Sequence, residues 1–275
     1  TYEVTPIDKD VEVEFIPYLD SGITNEDSNW DDKFWNTTEI LSEGNQAFIA
    51  AHTMKTNFET CSFMEAQLFL NGERISAEPS EEKRELSIGH RYAQKVKKGQ
   101  TATLHKYGGY TVSRNHEASK LVDAAKTILK KATDLGFDTL LENQKLAWAK
   151  IWEMSDITID GDVKAQQGIR FNIFQLNQTY LGKDSRLNIG PKGFTGEKYG
   201  GSTYWDTEAY CIPFYMATKD QKVARSLLKY RFNHLEKAIE NAQKLGFSNG
   251  AALYPMVTMN GEECHNEWEI TFEEI

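Results

Sequence analysis

The sequence predicts a chain of two parts, an N-terminal β-sandwich followed by a helical region. Up to residue 112, short apolar segments alternate with turn residues, and no helical spacing of apolar residues interrupts them. From residue 113 onward, apolar residues recur every three or four positions, and glycines follow the ends of these stretches. Several closely spaced strands without helices between them are typical of a sandwich.

The predicted strands of the N-terminal part are short. Val11–Phe15 alternates strictly between apolar and charged side chains, and Asn71-Gly72 is a hairpin-type turn. We expect the glycine pair Gly108-Gly109 to form the turn that closes the last strand. The remaining strand segments are the apolar runs 46–51 and 66–70 and the stretch that contains Ala102 and Leu104.

The second part predicts four helices, and glycines mark three of their ends. The first ends at Gly136, the third runs from about residue 163 to 181 before Gly182, and Gly246 closes the fourth. Thr218-Lys-Asp-Gln221 resembles a capping box that opens this fourth, long helix. The expected apolar stripes are Leu121, Ala125, Ile128, Leu129 and Ala132 in the first helix, Leu141, Trp148, Ile151 and Trp152 in the second, and Leu227, Leu228, Leu235, Ile239, Ala242 and Leu245 in the fourth.

Composition excludes several classes of function. The formal net charge is −10, with 31 basic and 41 acidic residues, which argues against a nucleic-acid partner and suits a neutral ligand such as a sugar. No apolar run approaches the roughly 20 residues that span a bilayer. Three widely separated cysteines indicate neither a disulfide framework nor a metal motif, and we therefore expect a reducing, cytoplasmic setting.

Both ends of the sequence suggest a longer protein. Thr1–Thr5 is typical of the inside of a strand, and 270–275 is typical of a helix beginning, with no stop signal after it. We expect the chain to be a segment of a larger enzyme.

The first candidate site is the glycine-rich segment 190–208, which ends in Trp205 and Asp206. Glycines let the backbone approach a ligand closely, an aromatic ring packs on the apolar face of a pyranose, and a carboxylate accepts hydrogen bonds from sugar hydroxyls. In the alternative interpretation, Asp206 caps a helix and Trp205 belongs to the core. A phosphate-binding loop is a weaker reading, because the GxxxxGK[ST] pattern is absent.

The second candidate site is the acidic segment 255–269. Crowded carboxylates raise one another's pKa, which keeps one carboxylic acid protonated near neutral pH and able to donate a proton. Three alternatives stay open: a solvated acidic loop, a metal site at Glu263 and His265, and a nucleophilic Cys264 beside His265. The four carboxylates, which surround His265 and Trp268, are Glu262, Glu263, Glu267 and Glu269.

These segments resemble glycoside hydrolase family 65, the family of the maltose, trehalose, kojibiose and nigerose phosphorylases, and most resemble its maltose branch. The resemblance runs through the whole chain in the same order. It implies an N-terminal β-sandwich, of which 1–112 is the C-terminal part, a helical linker over 113–155, and the first part of an (α/α)6 catalytic barrel over 156–275. The matching stretches are 170–176, 193–201, 204–210 and 255–269.

The resemblance also implies a reaction, the inverting phosphorolysis of maltose to β-glucose 1-phosphate and glucose. Glu263 corresponds to the family's general acid, and Trp205 and Asp206 to contacts with the sugar on the non-reducing side of the cleaved bond. The resemblance also implies that His265 and Trp268 bind the substrate. Inorganic phosphate is the co-substrate and nucleophile, with no metal or other cofactor, and a homodimer is the implied assembly.

Alternative interpretations of the function stay open. Gly201-Ser202 departs from the Gly-His of many family members, so the linkage could be that of trehalose, kojibiose or nigerose. A related hydrolase of the trehalase type would use water instead of phosphate, with a second carboxylate as base. A carbohydrate-binding module would have no activity at all. Because the family's phosphate-binding residues lie beyond Ile275, we expect these 275 residues alone not to turn over.

Overall fold

The computed structural model describes residues 1–24, 33–54, 57–190, 193 and 202–264. The chain divides into two compact units, the first of Thr1–Thr24 and Asp32–Asn143 and the second of Gln144–Ile275 with Asn25–Asp31. The sequence-based division at residues 112 and 155 stays a prediction.

The first unit is built from antiparallel strands. One sheet has the order β1-β10-β6-β5-β4, with β7 beside β6, and the other has the order β2-β9-β3, with β8 beside β9. The strands are β1 Tyr2–Val4, β2 Val11–Phe15, β3 Tyr18–Asp20, β4 Trp35–Glu43, β5 Gln46–Thr53, β6 Glu59–Leu70, β7 Glu73–Arg74, β8 Ser80–Lys83, β9 Ser87–Val96 and β10 Ala102–Val112.

A hydrophobic core between the two sheets makes this unit a sandwich, as the sequence predicts. Phe15 of β2 and Tyr92 of β9 pack against Leu68 of β6 and Leu104 of β10, and all four are buried. The predicted hairpin at Asn71-Gly72 is also confirmed: Leu70 pairs with Glu73, and both turn residues have positive φ, 51° and 84°. Two consecutive positive φ values define the type I′ turn that suits the twist of a hairpin.

The expected turn at Gly108-Gly109 is wrong, because β10 continues through both glycines to Val112. Gly109 pairs with Phe63 of β6, and a Cβ built on Gly109 would lie 2.8 Å from Cζ of that ring. The glycine therefore serves close packing of an aromatic ring against the strand and does not end it.

Helix α1, Leu121–Leu135, covers the outer face of the larger sheet. Leu121, Ala125 and Leu129 are buried against a cluster that includes Phe48 and Phe63 of the sheet. Ile128, expected on the same stripe, is 42% exposed. The buried residues of α1 follow one another at intervals of four, and position 128 lies at the edge of the face that they form. Gly136 follows the helix with φ 76°, as predicted.

Helix α2, Phe137–Ser155, crosses from the first unit to the second, and α3, Val163–Thr179, follows it. Trp148 stacks on Phe174 with ring centroids 4.9 Å apart, while the expected stripe residue Leu141 is 40% exposed. Asp162 caps α3 by accepting a hydrogen bond from the Ala165 N–H at 2.9 Å. The remaining elements are β11 Thr203–Tyr204, α4 Ile212–Thr218, α5 Gln221–Asn233, α6 Leu235–Lys244 and β12 Val257–Thr258.

The predicted long fourth helix is wrong in two respects. Thr218 ends α4, its hydroxyl bonding the Phe214 carbonyl, and Asp220 caps α5 through the Lys222 N–H at 2.9 Å. The helix also breaks at His234, whose ψ of 19° separates α5 from α6. Leu227 is buried as expected, but Leu228 is 52% exposed. No helix among the described residues is long and apolar enough to cross a membrane.

Candidate active site

A short antiparallel ladder joins the two candidate segments of the sequence. Strand β11 pairs with β12, with Thr203 opposite Thr258 and Tyr204 opposite Val257. The ladder continues by one bond, from the Trp205 N–H to the Met256 carbonyl at 3.1 Å. We call 203–208 the sugar segment and 253–264 the acid loop. The two segments, about 50 residues apart in sequence, are therefore neighbours in space.

Glu263 is the buried carboxylate of the acid loop, with no exposed surface. Its Oε2 accepts a hydrogen bond from the Met256 N–H at 2.6 Å, and its Oε1 accepts a longer one from the Val257 N–H at 3.3 Å. The Cys264 N–H also donates to the Val257 carbonyl at 2.8 Å, which folds the loop back on β12. These bonds fix the plane of the carboxyl group, and they compensate for its burial.

Trp205 and Asp206 present exposed side chains next to this ladder. Trp205 is 53% exposed, and Asp206 precedes a π-helical turn, Thr207–Cys211, without making a side-chain capping bond. The alternative interpretation, a core tryptophan beside a helix-capping aspartate, is therefore wrong. An exposed indole ring next to an accessible carboxylate is the combination that a sugar ring requires.

Glu208 of the sugar segment forms an ion pair with Arg231. Arg231 of α5 donates from Nε to Glu208 Oε1 at 3.0 Å and from Nη2 to Oε2 at 3.1 Å. Its Nη1 also donates to the Pro255 carbonyl of the acid loop at 3.4 Å. Asn188 adds a bond to Glu208 Oε1 at 3.1 Å. One side chain of α5 thus contacts both segments of the site.

Helices α5 and α6 hold the rest of the acid loop through buried polar side chains. The Tyr230 hydroxyl donates to the Met259 carbonyl at 2.7 Å, and Asn241 Nδ2 donates to the carbonyls of Leu253 and Gly261 at 3.2 and 3.1 Å. Gly261 has φ 102°, and a Cβ there would lie 2.9 Å from Cβ of His234, so the loop requires glycine at this position.

The other predicted residues of the acidic segment divide into two groups. His265, Trp268, Glu267 and Glu269 lie outside the described residues, as does most of the glycine-rich segment 190–202. The mutual effect of the four carboxylates therefore stays a prediction. Glu262 is described and differs from Glu263: its side chain is 39% exposed and lies 3.6 Å from the Lys237 ammonium.

The metal alternative at Glu263 and His265 stays a prediction, because His265 lies outside the described residues, and of the cysteine alternative only Cys264 itself is described. Burial raises the pKa of the Cys264 thiol, with Glu262 and Glu263 adding to the rise, so this cysteine stays a thiol and is a poor nucleophile near neutral pH. In the part of the chain that the structure describes, no group of three or more His, Cys, Asp or Glu side chains is placed to hold a metal ion.

Sequence reasoning missed the residues that support the site. Glu208 stands two positions after Asp206, a proximity that points to it, but nothing in the spacing of α5 distinguishes Arg231 from the exposed Arg225 on the same helix. Asn241 stands beside Ala242 of the predicted apolar stripe, and a polar residue at that place was the available signal; in the structure its side chain is buried.

Two models of one protein family match this chain. The model of the glycosyl hydrolase family 65 N-terminal domain matches residues 1–151, and the model of the family's central catalytic domain matches residues 170–275. The chain belongs to glycosyl hydrolase family 65.

Two curated relatives match nearly the whole chain. A maltose phosphorylase of Bacillus subtilis (strain 168) is 43% identical over 274 residues, which is 100% of this chain and 35% of that protein. An alpha,alpha-trehalose phosphorylase of Thermoanaerobacter brockii is 33% identical over 272 residues, covering 96% of this chain and 34% of the relative. The chain spans about a third of the length of these relatives.

A solved structure supports the same relationship. A putative kojibiose phosphorylase from the human microbiome superposes with a TM-score of 0.83 at 31% identity, over 95% of this chain and 33% of that one. The antiparallel sheets and the helices of this chain therefore have a counterpart of known structure in the same family.

Proposed function

We propose that this chain contributes the proton-donating half of the active site in an inverting disaccharide phosphorylase, with maltose as the substrate. The observation that carries the proposal is the fully buried Glu263. Its carboxyl group accepts hydrogen bonds from the backbone of Met256 and of Val257, and Val257 belongs to β12, the strand that pairs with the sugar segment. The resemblance to the Bacillus subtilis maltose phosphorylase, at 43% identity, favours maltose over the other disaccharides of the family.

In the proposed reaction, Glu263 protonates the glycosidic oxygen while phosphate attacks the anomeric carbon from the opposite face. The bond from that carbon to the leaving oxygen breaks with its electron pair, a new bond to a phosphate oxygen forms, and configuration inverts. The proton on the attacking hydrogen phosphate is released from the product ester, which balances the one that Glu263 supplies. Only one carboxyl group is needed, because phosphate is already a nucleophile.

The backbone of the acid loop orients the carboxyl group that we propose as the proton donor. Glu263 Oε2 accepts a hydrogen bond from the Met256 N–H at 2.6 Å, and Oε1 accepts one from the Val257 N–H at 3.3 Å. Trp205 and Asp206 would hold the sugar on the non-reducing side, and His265 and Trp268 would complete its contacts.

The broader architecture also belongs to the proposal. Helices α3 to α6 would form part of an (α/α)6 barrel, with 113–155 as the linker that precedes it. The phosphate pocket, the homodimer and the cytoplasmic location remain predictions from the family resemblance.

The test is the phosphate dependence of the longest natural form of the protein. We expect β-glucose 1-phosphate and glucose in equal amounts from maltose with inorganic phosphate, and no cleavage without phosphate. Trehalose, kojibiose and nigerose in the same assay determine the linkage. Glucose release at an equal rate without phosphate would show a hydrolase, and the proposal would then be wrong.

A further inference from the structure

We propose that Arg231 is a positioning residue that fixes the sugar segment and the acid loop relative to each other. The inference rests on the proposed function of Glu263 and extends it to a side chain that acts through its contacts with the two segments. Its basis is the set of three hydrogen bonds that one guanidinium makes to the two segments.

The first contact is a fork-shaped ion pair with the sugar segment. Nε and Nη2 of Arg231 bond the two oxygens of Glu208 at 3.0 and 3.1 Å, and only 12% of the arginine side chain is exposed. A planar guanidinium matches a carboxylate in this geometry, whereas an ammonium is a single point charge. The Glu208 N–H in turn donates to the Trp205 carbonyl at 3.1 Å, so the pair is bonded directly to the sugar-contacting residue.

The second contact reaches the acid. Nη1 of Arg231 donates to the Pro255 carbonyl at 3.4 Å, and the next residue, Met256, donates its N–H to Glu263 at 2.6 Å. Met256 also accepts the Trp205 N–H at 3.1 Å, so the residue next to Pro255 is bonded both to the acid and to the sugar segment. Arg231 is therefore placed to set the separation of proton donor and sugar.

Such a role predicts an uneven loss of activity. A misplacement of about 1 Å costs on the order of 100-fold in rate when a catalytic group must meet a bound substrate. Maltose needs both the sugar contacts and the proton, because its leaving alkoxide is a strong base. α-Glucosyl fluoride needs only the sugar contacts, since fluoride departs without a proton while phosphate forms the new bond to the anomeric carbon.

The experiment compares R231K with R225K in the longest natural form of the protein. Arg225 is an exposed arginine of the same helix, so R225K makes the same substitution away from the site. With phosphate present, we expect R231K to lower kcat/KM for maltose by about 100-fold and for α-glucosyl fluoride at least tenfold less than that, with R225K within about twofold of wild type. Equal losses on both substrates, or a loss no larger than that of R225K, would overturn the proposal.

A second readout does not depend on activity. Amide hydrogen exchange in peptides covering 203–211 and 253–264 reports local opening of the two segments. We expect R231K to accelerate exchange at least tenfold in both, and R225K in neither. Unchanged exchange in either segment would contradict the coupling. If wild type shows no phosphate-dependent turnover, the proposed function fails, and the exchange result alone decides whether Arg231 joins the segments.

Discussion

Asn241 offers the sharpest test of how the acid loop is held. The side chain is 1% exposed, and its Nδ2 donates to the carbonyls of Leu253 and Gly261. The variant N241L keeps a similar volume and removes both bonds. An unsatisfied buried carbonyl costs about 1–3 kcal/mol and a half-buried one about 1 kcal/mol, so we expect the loop to open more easily by about 2–4 kcal/mol.

Amide hydrogen exchange measures this local opening directly. Since each 1.4 kcal/mol is a factor of ten, peptides covering 253–264 should exchange roughly 30- to 700-fold faster in N241L. Q243L on the exposed face of the same helix is the control, with expected exchange close to wild type. Acceleration in N241L no greater than in Q243L would refute the role that we assign to Asn241.

Three further predictions concern the framework. G109A should lower stability by about 1–3 kcal/mol, because its Cβ would lie 2.8 Å from the Phe63 ring, and F63L should relieve part of that cost in a thermal-unfolding double-mutant cycle. G168A, in α3 with no atom near the added Cβ, should raise stability by about 0.5–1 kcal/mol, and a lower melting temperature would contradict this. Burial raises the pKa of the Cys61 thiol from 9.0 to about 11, so the unfolded chain loses its proton first as pH rises. The free energy of unfolding should therefore fall by about 2–3 kcal/mol between pH 9 and 11. Urea unfolding of C61A over the same pH range should not show this fall, because the variant has no thiol at this position.

The alternation and spacing of apolar residues predicted β2, β5, β10 and the helices α1 to α3, but not the long strands β4 and β9. Val11–Phe15 and the turn at Asn71-Gly72 follow from local pattern alone, because the side-chain period and the turn conformation are set by neighbouring residues. Gly108-Gly109 led to a wrong prediction of a turn. A glycine that allows close packing and a glycine that turns the chain look the same in the sequence, because the difference depends on the residue that lies across the strand. The break at His234 has no proline or glycine to mark it.

The site was predictable in its parts but not in its assembly. The motifs around Trp205 and Glu263 could be identified as chemically suited to a sugar, because in each motif an aromatic residue and carboxylates stand close together in the sequence. Their adjacency depends on β11 and β12, two strands of two residues each, which are too short to give a pattern. The role of Arg231 depends on tertiary contacts with Glu208 and Pro255 that no sequence spacing encodes.

We propose Glu263, and not its neighbour Glu262, as the proton donor. The most direct test is a comparison of E263Q and E262Q in the longest natural form, with phosphate and either maltose or α-glucosyl fluoride. We expect E263Q to lose about 100- to 10,000-fold in kcat on maltose while staying within about tenfold on the fluoride, because only maltose requires the proton. E262Q should stay close to wild type on both, since Glu262 is partly exposed and lies near Lys237. Equal losses of E263Q on the two substrates, or a larger loss on maltose in E262Q, would show that Glu263 is not the proton donor.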